Sequence, residues 1–188
     1  MPSVPGDPAA DPDLGRRVEI HDYDPHWPIQ FEKRAGEIAA VFGAAALSIE
    51  HVGSTSVPGL AAKPVIDIHL TVRDSADEAT YRGPLEKLGY RLVVCEPEWF
   101  EHRMFKGAAP ETNLHVFSEG CPELERCRIF RDWLRAHAAD RELYAATKRS
   151  LSRASYAHVQ DYADAKTAVV QEIMARALAA ARSASGSA

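Results

Sequence analysis

The side chains in this sequence best suited to chemistry are Asp67 and His69, with a Gly-Ser turn a dozen residues upstream. Residues 51–70 read HVGSTSVPGLAAKPVIDIHL. Gly53, Ser54, Thr55 and Ser56 offer backbone N–H groups that no bulky side chain shields. Such a turn holds an anion if it opens a helix, where unsatisfied N–H groups and the helix dipole both favour negative charge. Val57-Pro58-Gly59 fits a tight turn, with Pro presetting φ and Gly supplying a positive φ. Residues 65–72 then alternate as a strand does. Ile66, Ile68, Leu70 and Val72 share one face, and Asp67, His69 and Thr71 share the other.

Two familiar phosphate and acyl-transfer motifs are excluded. A P-loop needs GxxxxGK[ST], but counting from Gly53 the second glycine falls at Pro58 and Lys63 comes too late. A nucleophile elbow needs GxSxG, and no such pattern surrounds Ser54 or Ser56. Further along, Val159, Tyr162, Ala163, Val169, Val170, Ile173, Met174 and Ala177 form an apolar helical stripe with Lys166 inside it. An ammonium group pointing to the core needs a partner or a route to water. Lys166 therefore either reaches an anion at the Gly53–Ser56 turn or snorkels to the rim. Arg103, Lys106 and Lys148 are further basic candidates for such an anion, with solvated surface as their ordinary reading.

These residues must be positioned by a fold of ordinary composition. The chain has 188 residues, 46% hydrophobic and 26% charged, enough for one domain with a real core. A net charge of −5 argues against an extended nucleic-acid surface while leaving room for a local basic pocket. Cys95, Cys121 and Cys127 form no CxxC pair and read as reduced thiols of a cytoplasmic protein. No apolar run has the length of a membrane span. Residues 1–16 lack periodicity and are expected to be a disordered tail, as is the segment 183–188, leaving 17–182 as a single domain.

Within that domain, Val18 to His21 fits a short edge strand. Asp24-Pro25 starts an amphipathic helix carrying Trp27, Phe31, Ala35, Ile38 and Phe42, which Gly43 ends. Strands follow at 47–52 and 65–72. A helix over 75–88 is expected to be broken or kinked by Pro84. A strand at 90–95 and a hairpin of 101–105 with 113–117 come next, then helices over 123–137, 140–153 and 156–181.

The Gly-Ser pair followed twelve residues later by Asp67 on an apolar strand is similar to the opening signature of the nucleotidyltransferase superfamily. More closely, HVGSTSVPGLAAKPVIDI resembles the GrpB-like family. Tyr23, Trp27 and Phe31, the segment 103–107, Leu114-His115-Val116, and Tyr162 and Lys166 extend the resemblance across 18–178. It implies an α/β (α+β) fold, a nucleotidyltransferase-like mixed sheet flanked by helices with a C-terminal helical layer. It also implies in-line attack on a nucleotide phosphate assisted by divalent metal. Asp67 matches the first acid, His69 stands at the second acid position and His115 at the third. Asp67, His69 and His115 would thus form a mixed metal site, for Mg²⁺ or a softer ion, and His51 could join it or merely hydrogen-bond the turn. Asp67 and Ser54 are the expected catalytic residues, and Gly53, Ser54, Thr55, Ser56, Lys166, Arg103 and Lys148 the expected phosphate contacts. The expected partner is a small phosphorylated molecule, a nucleotide above all. The alternative is a noncatalytic phosphoanion-binding module that has lost the second and third acids. A third reading is an imidazole-rich metal site acting on another small molecule.

Overall fold

The alternating residues of 65–72 become the centre of the structure. In this computed structural model, which describes residues 19–107, 110–153 and 165–185, Ser48–Val52 (β1) and Thr112–Ser118 (β5) flank Ile66–Val72 (β2). His102–Gly107 (β4) and Arg91–Glu96 (β3) complete one sheet of order β1-β2-β5-β4-β3. The central pair β2·β5 is parallel and every other pair antiparallel, which gives the expected mixed sheet. The β4–β5 hairpin forms as its sequence pattern suggests.

One face of the sheet is the main core. Ile66, Ile68, Leu70 and Val72 join Phe105, Leu114 and Val116 beneath His26–Phe42 (α1) and Arg82–Lys87 (α2), which supply Trp27, Ile38, Phe42 and Leu85. The start of α1 is held by Asp24, whose Oδ1 accepts the His26 N–H at 2.8 Å. Gly43, at φ +52°, ends it. The continuous helix expected over 75–88 is instead a 3-10 turn, Glu78–Thr80, followed by α2. Pro84 falls in the first turn of α2, where no intrahelical N–H bond is lost. It therefore sits within a short helix rather than kinking a long one.

Three helices cover the other side: Pro122–Ala136 (α3), Ala138–Leu151 (α4) and Thr167–Ser185 (α5). They enclose a second apolar cluster in which Val57, Leu60 and Ala61 meet Leu134, Tyr144, Ala145, Val169 and Ile173. The proline-glycine corner thus plugs the helical layer and ties it to the strand edge. The stripe on the last helix is buried at Val169, Ile173, Met174 and Ala177. Its members Val159, Tyr162 and Ala163 lie outside the described residues, as do the expected tail 1–16 and Val18. Among the described residues no helix is long and apolar enough to cross a membrane.

Leu134 is buried at the centre of that second cluster. Leu134→Ala should cost about 2–5 kcal/mol, the usual range for an emptied core site. A urea melt checks this, and a loss below about 1 kcal/mol would mean that the helical layer collapses around the gap.

Candidate functional site

The Gly-Ser turn is built against Asp67. Gly53 has φ +68°, and a Cβ placed on it would overlap Asp67 Oδ2 and lie 2.9 Å from Asp67 Cγ. Glycine is required twice over, for the backbone conformation and for the closeness of the carboxylate. Ser54–Ser56 form a single 3-10 turn rather than the start of an α-helix, so no helix dipole adds to the site. Two of the four turn residues expected to contact phosphate use their hydroxyls internally. Thr55 Oγ1 donates to the Val65 carbonyl at 3.0 Å, and Ser56 Oγ to the Gly53 carbonyl at 2.6 Å. His51 bonds Thr55 Oγ1 through Nε2 at 3.1 Å and stacks on Phe31. It lies opposite Ile68 in the register, on the core face, so it supports the turn and does not join a metal site with Asp67.

Helix α3 clamps the same region with arginines. Arg131 reaches the His51 carbonyl at 3.1 Å, and Arg135 makes two bonds to the Ser56 carbonyl at 3.1 and 2.8 Å. Arg128 and Arg131 both bind Glu50, holding its carboxyl below the ordinary range, with Arg128 the main cause.

Ser54 keeps its side chain for the cleft. Its Oγ accepts a hydrogen bond from Lys148 Nζ at 2.9 Å, and Tyr144 is hydrogen-bonded to the same serine. Lys148 is only 2% exposed, although the charged sequence of α4 suggests a surface position. Burial above all, with the nearby charge of Lys166, brings its pKa down to about 7. The Lys148 ammonium also sits 4.5 Å over the Tyr144 ring, but that attraction does not offset desolvation. Lys166 is part-buried, with its pKa lowered by burial and partly restored by Asp67. Asp67 is drawn the other way, up to about 6 by desolvation, against the Asn113 hydrogen bond and the fields of Lys166 and Lys63. Gly53, Ser54, Arg126, Cys127, Arg131 and Tyr144 help line a cavity of about 210 Å³ at this point. A wider groove of about 380 Å³ lies by Leu47 and Thr71, where Glu119 and Glu125 are exposed. The smaller cavity is the one that reaches Ser54, the hydrogen-bond partner of Lys148.

Three expectations need correction. Arg103 occupies the opposite face of the sheet, where its Nε donates to Glu78 Oε1 at 2.6 Å. The register of β4 with β5 puts it beside Val116, so it cannot contact an anion at the turn. Lys148 is a buried neighbour of Ser54 rather than a solvated surface group. The metal set Asp67, His69 and His115 is not assembled: among the described residues, no three His, Cys, Asp or Glu side chains are placed to hold an ion. Asp67 and His69 stand two positions apart on β2, roughly 7 Å along the strand. Asp67 Oδ1 accepts the Asn113 side-chain N–H at 3.0 Å, and His115 Nδ1 is 2.9 Å from His102 Nε2. One carboxylate among lysines does not fit the metal pair that the resemblance implied.

Asp67 and His69 of β2 and Asn113 and His115 of β5 form a polar row that spacing alone did not reveal. Asp67 pairs with Asn113 and His69 with His115, while Glu50 stands opposite His69 from β1. Burial holds the His69 pKa down to about 4 and that of His115 down to about 3. Both imidazoles are therefore neutral throughout the physiological range. Asn113 and His102 were not anticipated, although Asn113 shares the strand parity of His115 and could have been found from it.

The fold and this site define a mixed α/β domain with a lysine-bearing helical layer over a Gly-Ser turn. The GrpB protein family matches residues 17–176, and the chain belongs to that family. The UPF0157 protein BH1888 of Halalkalibacterium halodurans is 57% identical over 160 residues, covering 85% of this chain and 82% of that protein. The crystal structure of conserved protein GrpB from Enterococcus faecalis superposes with a TM-score of 0.76 at 29% identity, covering 85% of this chain and 97% of that one. A dephospho-CoA kinase of Mycolicibacterium paratuberculosis is 31% identical over 175 residues, covering 79% of this chain but 43% of its own length.

Gly53→Ala should destabilise the protein by roughly 2–4 kcal/mol, from a disfavoured φ and a clash, and adding Asp67→Ala should recover part of the loss. Equal losses with and without Asp67→Ala would remove the clash from the explanation. Asp67 itself has a pH signature. Because its folded pKa lies above the ordinary aspartate value of 3.8, the ionised form is disfavoured, and stability falls as pH rises from about 4 to about 6. Asp67→Asn should therefore raise the melting temperature more at pH 7 than at pH 4. The reverse order would show that the carboxylate is stabilised by its lysines after all.

Proposed function

We propose that the cleft beside Ser54 binds a phosphorylated small molecule, with a nucleotide as the class suggested by the nucleotidyltransferase-like signature. One observation carries the reading. Lys148 is buried, at the cost of burying an ammonium, with its Nζ on Ser54 Oγ at the edge of the cavity. Lys166 adds a second part-buried cation whose field reaches Lys148. A phosphate at Ser54 would meet two ammonium groups in a poorly hydrated site, where charge-assisted bonds are strong. Asp67 balances those charges when no anion is present. What supports binding over metal-dependent nucleotidyl transfer is the lysine bonded to Ser54, with no metal-holding group among the described residues. The cavity volume of about 210 Å³ is below the usual range for drug-sized ligands and suits the phosphate end of a longer molecule. The dephospho-CoA kinase name of a relative makes dephospho-coenzyme A a reasonable probe beside ATP and pyrophosphate.

The readings separate on two variants. Lys148→Met keeps the packing stem and should lower the affinity for pyrophosphate or ATP by about 1.5–3 kcal/mol in calorimetry. Unchanged affinity would leave the buried lysine without a ligand role. Asp67→Asn should strengthen phosphate binding or leave it unchanged without added metal, since it removes a like charge. Loss of a Mg²⁺-dependent affinity in the same variant, with pyrophosphate released from a triphosphate by the wild type, would establish the transferase reading instead. Binding should also take up protons. A bound anion raises the Lys148 pKa from about 7, so affinity should fall with rising pH, by at most about tenfold per unit.

A further inference from the structure

Beyond the proposed phosphate position, the sheet face carries two hydrogen-bond acceptors with no donor among the described residues. Asn113 gives its amide N–H to Asp67, and its Oδ1 is buried without a partner. While Asp67 is ionised the amide cannot turn around, because that would set oxygen against oxygen. Two residues on and on the same face, His115 is committed by a relay. His102 Nδ1 lies 2.7 Å from Glu96 Oε2, and His102 Nε2 lies 2.9 Å from His115 Nδ1. The two rings are 18° from parallel. With both imidazoles neutral, His102 donates to the carboxylate from Nδ1–H and therefore accepts at Nε2 from His115 Nδ1–H. His115 is left with a lone pair on Nε2, and this atom has no hydrogen-bond partner among the described residues. The His115 side chain is part-exposed.

The relay is held in place at some backbone cost. Phe100 and Glu101, immediately before His102, have φ of +55° and +52°, values that bulky residues rarely adopt. The turn they form sets Trp99 edge-on against both His102 and Phe117 while leaving it 41% exposed. An aromatic surface thus stands next to the relay that orients His115.

We propose that Asn113 Oδ1 and His115 Nε2 recognise the hydroxyl groups of a sugar attached to the bound phosphate. The proposal rests on the phosphate reading for the ligand's other end. Acceptors without donors call for a ligand rich in O–H donors, and a fixed neutral imidazole rejects a second acceptor in that place. Asn113 and His115 stand roughly 7 Å apart along β5, about the reach from a phosphate to the ring hydroxyls of its sugar. A ribonucleotide and a simple sugar phosphate share this chemistry.

Calorimetry with four probes tests it: pyrophosphate, ribose 5-phosphate, ATP and 2′,3′-dideoxy-ATP. The wild type should bind ATP at least about tenfold more tightly than the dideoxy analogue. Ribose 5-phosphate binding with ATP excluded would identify a sugar-phosphate site, and the opposite order a nucleotide site. His115→Phe should erase the hydroxyl discrimination while keeping pyrophosphate affinity. Where ATP binds, equal affinity for ATP and its dideoxy analogue in the wild type overturns the proposal, as does pyrophosphate binding without either ribose 5-phosphate or ATP. Failure of pyrophosphate itself to bind sinks the phosphate reading separately. In that case ¹⁵N NMR of His115 tests the acceptor assignment on its own: a lone pair at Nε2 that is lost to tautomer mixing in His102→Phe upholds the assignment, and a proton on Nε2 overturns the proposal.

Discussion

Everything around the cleft depends on how closely the Gly53 backbone approaches the Asp67 carboxylate. The last residue of β1 pairs with Asp67 across the sheet, Val52 opposite it in the register, and the chain must then leave the strand over that side chain. With no Cβ, Gly53 can turn at φ +68° directly against Oδ2. The following 3-10 turn points Ser54 toward the helices and sends Thr55 and Ser56 inward, where their hydroxyls close the loop. The spacing of glycine, serine and aspartate is thus one packing constraint viewed at two places in the chain.

That turn also explains why the helical layer is needed. The Ser56 carbonyl has no strand partner and is satisfied by Arg135, while the plug of Val57, Leu60 and Ala61 seats α3, α4 and α5 on the same corner. Once seated, α4 places Lys148 against Ser54. The layer therefore stabilises the turn and brings cationic charge to it through the same contacts. Burial opposes that charge, and the lowered Lys148 pKa and raised Asp67 pKa are two sides of one desolvated, partly compensated cluster. Such a cluster gains most from a ligand that supplies negative charge without water.

The second polar region is governed by the sheet. Parallel pairing of β2 with β5 aligns residues of like parity, so an aspartate and a histidine on one strand meet an asparagine and a histidine on the next. Imidazoles rather than carboxylates at two of these four places set the character of the row. Buried imidazoles remain neutral, as their low pKa values show, so they offer directional hydrogen bonds in place of the negative charge that would gather divalent cations.

The amino-acid sequence alone determined whatever depends on neighbours along the chain. The alternation of β2, the amphipathic stripe of α1, the β4–β5 hairpin and the Gly-Ser-to-Asp spacing are local patterns, and each is legible in the order of the residues. The burial of Lys148 is not, because α4 is rich in charge and its buried side is chosen by the corner it packs on. The places of His51 and Arg103 were hidden for a related reason: strand parity becomes a face only when the register with a partner strand is known. The relay from Glu96 through His102 to His115 joins three strands and a strained turn, so no spacing encodes it. Only tertiary structure decided which charges lost water and which polar atoms lost partners, since both depend on groups brought together from distant parts of the chain.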